Sequence, residues 1–183
     1  MTLSAEGYEI DESESSVPRS RSARYRMSTQ LASLGTDFLV LNGAGDHVLR
    51  IDGYLISEED TVCVEDIEGR VLYRAVAHLA RQMDRLAIVD AQNVEVCAIV
   101  RTQVSPLRDL FAIEFPGGHE LKVEGNVALH EFFISGPDGR IAEVSRRWFR
   151  ARDSYGIEIT PSQQDALLVT AIVAMNLMVN GTN

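Results

Sequence analysis

The chain has 183 residues, of which 45% are hydrophobic and 24% are charged, so it can form one domain with a buried core. Its formal net charge of -10 argues against nucleic-acid binding, because contacts to phosphates require a basic surface. The amino terminus shows no basic and apolar leader, and Cys63 and Cys97 each lie within an apolar run. We therefore expect a cytoplasmic protein whose cysteines are reduced.

The first 23 residues are rich in Ser, Glu and Asp and have no periodic apolar pattern. Such a segment cannot bury enough apolar surface to offset the entropy lost on ordering, so residues 1–23 are predicted to form a disordered tail. The sequence is acidic over residues 6–14 and basic from Arg19 to Arg26. We interpret the Arg-Ser run as a solvated linker, with a phosphorylation or anion-binding patch as the alternative. Residues 24–183 are expected to form a single domain.

Alternating apolar runs follow one another from Tyr25 to about Thr160, and roughly twelve of them are strand candidates. In one of them Phe111, Ile113 and Phe115 would face one side and Glu114 the other, as in a strand with one buried face. Turn signals separate the runs at 42–46, 66–69, 116–118 and 136–139, and a weaker one lies at 90–93. This pattern predicts serial antiparallel hairpins that form a sandwich or a closed barrel.

An aspartate begins several of these runs, at a spacing of roughly 21 to 25 residues, the length of a hairpin and its connection. Asp60, Asp109 and Asp153 are examples. We interpret them as acceptors for backbone amides at the corners between turns and strands, with cation binding as the alternative.

The carboxyl-terminal segment changes period and predicts a helix at about 161–179. Thr160 is a candidate N-cap, Pro161 occupies the first helical position, and Gln163 follows three residues after the cap. Residues 166–179 are apolar nearly all round, yet they fall short of the ~20 residues that a membrane span requires. We expect this helix to lie inside the β-structure, because a barrel of more than about eight strands is too wide to be filled by strand side chains alone.

Several stretches together resemble the LURP-one-related family. They lie at 25–27, 34–38, 48–53, 106–111, 123–126 and 130–132, and the strongest is VSRRWFRARDSYGIEI at 144–159, followed by 165–167. The resemblance implies a mainly β, tubby C-terminal-like fold, in which a twelve-stranded antiparallel barrel encloses one C-terminal hydrophobic helix. Tubby-like relatives bind phosphoinositides through basic surface residues, and related phospholipid scramblases act on membranes. No site residue is carried over from these relatives to this chain.

The basic cluster near the end of the chain is the best candidate binding site. Arg146, Trp148, Arg150 and Arg152 alternate, so they would share one face of a strand. Arginines beside an indole are suited to holding an anionic lipid headgroup, because guanidinium groups form bidentate hydrogen bonds with phosphate and indoles favour membrane interfaces. The alternative is a structural face, in which the arginines pair with carboxylates and Trp148 packs in the core or under an arginine.

The sequence shows no spacing typical of a nucleophile, a metal site or a cofactor loop, so we expect neither an enzyme nor a cofactor. The first hypothesis is a non-enzymatic binding module for anionic phospholipid headgroups or a protein partner, at most peripherally attached to a membrane. The second is a scramblase-like lipid transporter in which residues 166–179 enter the bilayer. The third is a small-molecule-binding barrel, or an enzyme whose pocket is assembled across strands.

Overall fold

The computed structural model describes residues 22–29, 38–54, 61–76, 84–105, 108–148, 154–160 and 164–180. Within these ranges the chain forms twelve strands followed by one helix. The strands are β1 (Ala23–Thr29), β2 (Phe38–Asn42), β3 (His47–Tyr54), β4 (Thr61–Asp66), β5 (Val71–Val76), β6 (Arg85–Asp90), β7 (Glu95–Ser105), β8 (Arg108–Glu114), β9 (Glu120–Asn126), β10 (Glu131–Gly136), β11 (Gly139–Ser145) and β12 (Ser154–Ile159). The helix, α1, spans Asp165–Asn180.

The twelve strands form one closed antiparallel barrel. Each strand pairs with its neighbours in sequence, and β1 closes the barrel against β12 with Ala23 opposite Ile159. The predicted fold class is therefore confirmed, and a closed barrel rather than a sandwich is formed. Because β1 begins at Ala23, the barrel starts one residue inside the predicted tail, and residues 1–21 of that tail lie outside the described residues.

The inner face of the barrel is built from every second residue of the strands. In β9, for example, Leu121 and Val123 are buried while Lys122 and Glu124 are exposed. This confirms the period of two that the sequence shows. Burying each such aliphatic side chain contributes about 1.5–3 kcal/mol, so the alternating pattern is what fixes which face of each strand turns inward.

The interior of the barrel is filled by α1. Val169, Ala174 and Met175 lie on different sides of the helix, and each is completely buried. A helix that is apolar all round needs such an enclosing environment, so the predicted central helix is confirmed. The predicted N-cap at Thr160 is wrong, because the helix begins at Asp165 and the Thr160 hydroxyl donates to the carbonyl of Arg140 at 3.0 Å.

Three hairpins share one turn, at intervals of 24 residues: Asn42, Asp66 and Asp90 begin it. Each side-chain oxygen accepts the backbone N–H groups two and four residues further on, at 2.9–3.0 Å. The fourth residue of each turn has a positive φ, which Gly45, Gly69 and Asn93 supply. The predicted turns are confirmed, and the Asx hydrogen bonds lie at strand ends rather than at the strand starts. Asp60 and Asp153 lie outside the described residues, and the side chain of Asp109 is not described.

The barrel has two different ends. The turn end carries the hairpin turns 42–46, 66–70, 90–94, 115–119 and 136–139, together with the start of α1. The loop end carries the final residues of α1 and the connections on the opposite side. Of those connections, the structure describes the β9–β10 turn at 127–130, the first residues after β11, at 146–148, and Asp84, directly before β6.

Candidate functional site at the loop end

The basic cluster does not lie on a strand. β11 ends at Ser145, Arg146 lies at a bend, and Arg147 and Trp148 form a turn, so the prediction that Arg146 and Trp148 share one strand face is wrong. The physical reason is a competing acceptor: the backbone N–H of Arg146 donates to the carboxylate of Glu131 at 3.1 Å instead of continuing the ladder with β12. Arg150 and Arg152 lie outside the described residues.

The described part of the cluster is on the surface. Arg146, Arg147 and Trp148 are all exposed, and the exposed fraction of Trp148 is 41%. Packing of Trp148 in the core, which was one form of the structural alternative, is therefore wrong. The indole, which favours interfaces between water and apolar surroundings, is thus partly open to solvent beside the two arginines.

Glu131, the first residue of β10, holds this turn in place. Its two carboxylate oxygens accept the hydroxyl of Ser145 at 3.1 Å, and one of them also accepts the N–H of Arg146. The same carboxylate forms an ion pair with Arg147 at 3.6 Å. Because the side chain of Arg147 is 84% exposed, this pair contributes at most about 1 kcal/mol and leaves the guanidinium open to an external anion.

An exposed leucine completes the surface. Leu129 lies in the β9–β10 turn, is 57% exposed, and donates its backbone N–H to the Asn126 side chain at 3.0 Å. Since Glu131 pairs with Ser145 in the β10–β11 ladder, this turn and the Arg146–Trp148 turn lie side by side. We call Leu129, Arg146, Arg147 and Trp148 the rim surface.

A polar cluster lies beneath the rim surface. His130 has a φ of 55°, and its ring lies 4.2 Å from that of Tyr155. The Tyr155 hydroxyl donates to the sulfur of Met27 at 2.6 Å and accepts the side-chain N–H of Asn176 at 3.0 Å. These contacts tie the rim to β1, β12 and the last turns of α1.

The polar cluster is uncharged at neutral pH. Burial and, to a smaller extent, the nearby charge of Arg146 lower the pKa of His130 to about 4, and the charge of Glu131 partly opposes them. Burial also raises the pKa of the Tyr155 hydroxyl well above its usual value. A neutral layer of this kind supports the rim without competing for the anions that the exposed arginines attract.

The rim surface therefore offers guanidinium groups, an indole and an aliphatic side chain on one patch. Such a patch can bind an anion by charge-assisted hydrogen bonds while its apolar side chains enter an interface. Within the described ranges, no group of three or more His, Cys, Asp or Glu side chains is placed to hold a metal ion. No helix among the described residues is long and apolar enough to cross a membrane.

Sequence reasoning found Arg146 and Trp148 but missed four residues of this region. Leu129 could have been noticed as an apolar residue in a turn between two strands. Glu131, His130 and Asn176 gave no local signal, because their partners lie 14 to 25 residues away in the sequence and are brought together by barrel closure.

Comparisons with known proteins agree with the fold. The sequence profile of the LURP-one-related family matches residues 24–176 of the chain. The fold is similar to an X-ray structure of a protein from Arabidopsis thaliana, with a TM-score of 0.63 and 13% sequence identity over 86% of this chain and 91% of that one. At that identity the likeness shows the fold alone. None of the curated proteins compared with the chain matches it.

Proposed function

The chain belongs to the LURP-one-related family, and we propose that it is a non-enzymatic binding module. Its rim surface would attach peripherally to anionic phospholipid surfaces, from the cytoplasmic side. The single observation that carries this proposal is the exposed Trp148, which follows directly after two exposed arginines.

The energetic argument rests on two kinds of contact. A cationic side chain near an anionic leaflet contributes about 1 kcal/mol, so Arg146 and Arg147 together supply a modest, salt-sensitive attraction. Trp148 and Leu129 add apolar surface that leaves water on insertion into the headgroup region. The sum favours weak, reversible attachment rather than permanent anchoring.

The charge distribution favours one orientation. The turn end carries exposed or half-buried carboxylates on successive hairpins, including Asp46, Glu68 and Asp90. An anionic membrane repels this end, so the molecule would approach with the rim surface first. The binding would therefore depend on one pole of the barrel.

The scramblase-like hypothesis gains no support from the helix. Residues of α1 such as Val169, Ile172 and Met178 are completely buried inside the barrel. Moving them into a bilayer would require the barrel to open and would expose the inner faces of its strands to water, at a large cost in hydrophobic free energy. Peripheral binding needs no such change.

The proposal is tested by co-sedimentation of the full-length protein with vesicles of phosphatidylcholine, alone or with phosphatidylserine or a phosphoinositide. We expect binding only to the anionic vesicles, and weaker binding at physiological than at low ionic strength. The double variant Arg147→Glu, Trp148→Ala should lose at least about tenfold in affinity, because it removes both kinds of contact.

A matched control distinguishes a specific effect of the rim surface on vesicle binding from the effect of changing the net charge. Arg24→Glu makes the same charge change at the turn end, at an arginine that is 73% exposed and pairs with a carboxylate side chain 29% exposed. The corresponding values for Arg147 and Glu131 are 84% and 29%. Equal losses in the Arg147→Glu and Arg24→Glu variants, or binding that survives in the rim variant, would overturn the proposal.

A further inference from the structure

Ser22 lies directly before β1, at the turn end, where β1 closes the barrel against β12. Its hydroxyl donates to one carboxylate oxygen of Glu158 at 2.5 Å, and the Nε–H group of Arg24 donates to the other at 2.9 Å. Because Ser22 and Arg24 are two residues apart, their side chains lie on the same face of the strand. A single carboxylate of β12 therefore holds a hydroxyl and a guanidinium group side by side.

The start of β1 is paired on one side only. Ala23 and Arg24 pair with Ile159 and Glu158 of β12, whereas the pairing of β1 with β2 begins at Tyr25. Residues with fewer backbone partners open at a lower cost in free energy than residues paired on both sides. An enzyme can therefore reach Ser22 through a local opening of the first residues of β1, while the rest of the barrel stays closed.

The sequence around Ser22 carries arginines at positions that protein kinases read. Arg19 precedes it by three residues and Arg21 by one, and no other serine of the chain follows an arginine by three residues. Carboxylates at the substrate site of a kinase bind such arginines through bidentate hydrogen bonds, and charge patterns of this kind determine which serine is modified. The Arg-Ser run thus distinguishes Ser22 from the other serines.

We propose that Ser22 is a phosphorylation site for a protein kinase that selects a serine three residues after an arginine. The γ-phosphoryl group of ATP is transferred to the Ser22 oxygen, its bond to the β-phosphate breaks to release ADP, and the hydroxyl proton passes to the catalytic base of the kinase. Ser22, Ala142 and Thr160 line a groove of about 310 Å³, which has room for the phosphate group.

The phosphate would change the partner of Arg24. It carries a charge of about −1.5 to −2, so it repels the carboxylate of Glu158, and the Ser22 hydroxyl that donated to this carboxylate is lost. The side chain of Arg24 is 73% exposed and can turn to the phosphate on the same strand face. Phosphorylation would thus replace two contacts between β1 and β12 with one contact within β1, and loosen the barrel closure at the turn end.

The site is tested by incubating the full-length protein with ATP and a purified kinase that prefers arginine three residues before serine, and by locating the phosphate with tandem mass spectrometry. We expect phosphate on Ser22, and an initial rate that falls at least about tenfold in the Arg19→Ala variant. Arg50→Ala, at an exposed arginine of β3, is the matched control. Phosphate only on other residues, or equal rates in the two variants, would overturn the proposal.

The change of partner is tested by phosphorus NMR of the phosphorylated protein, which follows the second pKa of the phosphate. A neighbouring guanidinium favours the dianion, so this pKa should be lower in the folded protein than in the same protein unfolded in urea. The Arg24→Gln variant should lose this difference, and Arg50→Gln should keep it. A pKa that is not lowered on folding, or a lowering that survives in Arg24→Gln, contradicts pairing with Arg24. Neither experiment depends on vesicle binding by the rim surface.

Discussion

At the turn end, three hairpins repeat one backbone arrangement, whereas at the loop end each described turn is held by a different side chain. An Asx oxygen and a residue of positive φ are enough for the turns that begin at Asn42, Asp66 and Asp90. At the loop end, Asn126 fixes the Leu129 turn, and Glu131 fixes the residues after β11. The comparison teaches that the regular end forms the same turn with different residues at its exposed positions, whereas the irregular end holds the backbone of Leu129 and Arg146 through specific side chains.

The two ends of α1 are also stabilised in different ways. At the turn end, the Tyr25 hydroxyl donates to Asp165 at 2.5 Å, and this carboxylate lies in the first helical turn, where the helix dipole favours a negative charge. At the loop end the last turn of the helix has no basic residue of its own, and Arg101 of β7 donates to the carbonyl of Met178 instead. The barrel thus supplies the cation that the helix sequence lacks.

The largest loss of stability should come from a charge placed in the core that the two ends share, because no group at either end can pair with it there. Ala171 in α1 is 1% exposed, so Ala171→Asp would bury an unpaired carboxylate at a cost of at least about 4 kcal/mol. We expect no cooperative unfolding transition in chemical denaturation. Ala44→Asp, the same change in an exposed turn, should unfold like the unmodified protein. Wild-type stability of the Ala171 variant would show that α1 is not in the core.

A pair of glycines compares the two ends directly. Gly125 in β9, beside the loop end, has a φ of 130°, and an added Cβ would lie 2.5 Å from the carbonyl oxygen of Glu131. Gly139 at the turn end has a φ of 116°, and nothing lies within 4 Å of the added Cβ. Gly139→Ala should cost about 1–3 kcal/mol from backbone strain, and Gly125→Ala about 1–3 kcal/mol more from the clash. Equal free energies of unfolding would contradict the close packing at the loop end.

A smaller effect should be a pH dependence of the free energy of unfolding, which originates from His130 at the loop end. Because the pKa of His130 falls to about 4 in the folded protein and is about 6.5 when unfolded, the unfolded state binds more protons between these values. Stability should therefore decrease as the pH falls from about 6.5 to 4, by about 2 kcal/mol after allowance for solvent screening.

His130→Asn is the variant that isolates this contribution, because Asn tolerates the positive φ and does not titrate. Free energies of unfolding measured across this pH range should fall less steeply for the variant than for the unmodified protein. Parallel curves would show that His130 is as easily protonated in the folded state as in the unfolded one.

Much of the fold could be predicted because burial repeats along the sequence. The alternation at Leu121 and Val123 and the apolar run of α1 are local patterns, and each matches one kind of regular structure. The exact ends of elements could not be predicted. Arg146 and Trp148 alternate as strand residues do, yet Glu131, fifteen positions earlier, takes the hydrogen bond that would have extended β11.

The candidate site was predicted only in its charged and aromatic members. Arg146 and Trp148 stand out as residue types, whereas Leu129 and Glu131 acquire a role only when the two turns become neighbours in the barrel. The cluster of His130, Tyr155 and Asn176 is assembled from a turn, a strand and the helix, so no spacing in the sequence reveals it.

The most direct test of the rim surface uses the intrinsic fluorescence of Trp148, because the chain contains one tryptophan. The full-length protein is mixed with vesicles of phosphatidylcholine alone, or with phosphatidylserine added, and the emission spectrum is recorded with and without brominated lipids. We predict that only the anionic vesicles shift the emission to shorter wavelength, and that brominated lipids then quench it, since the indole enters the interface. An unchanged spectrum with anionic vesicles would contradict membrane binding through the rim surface.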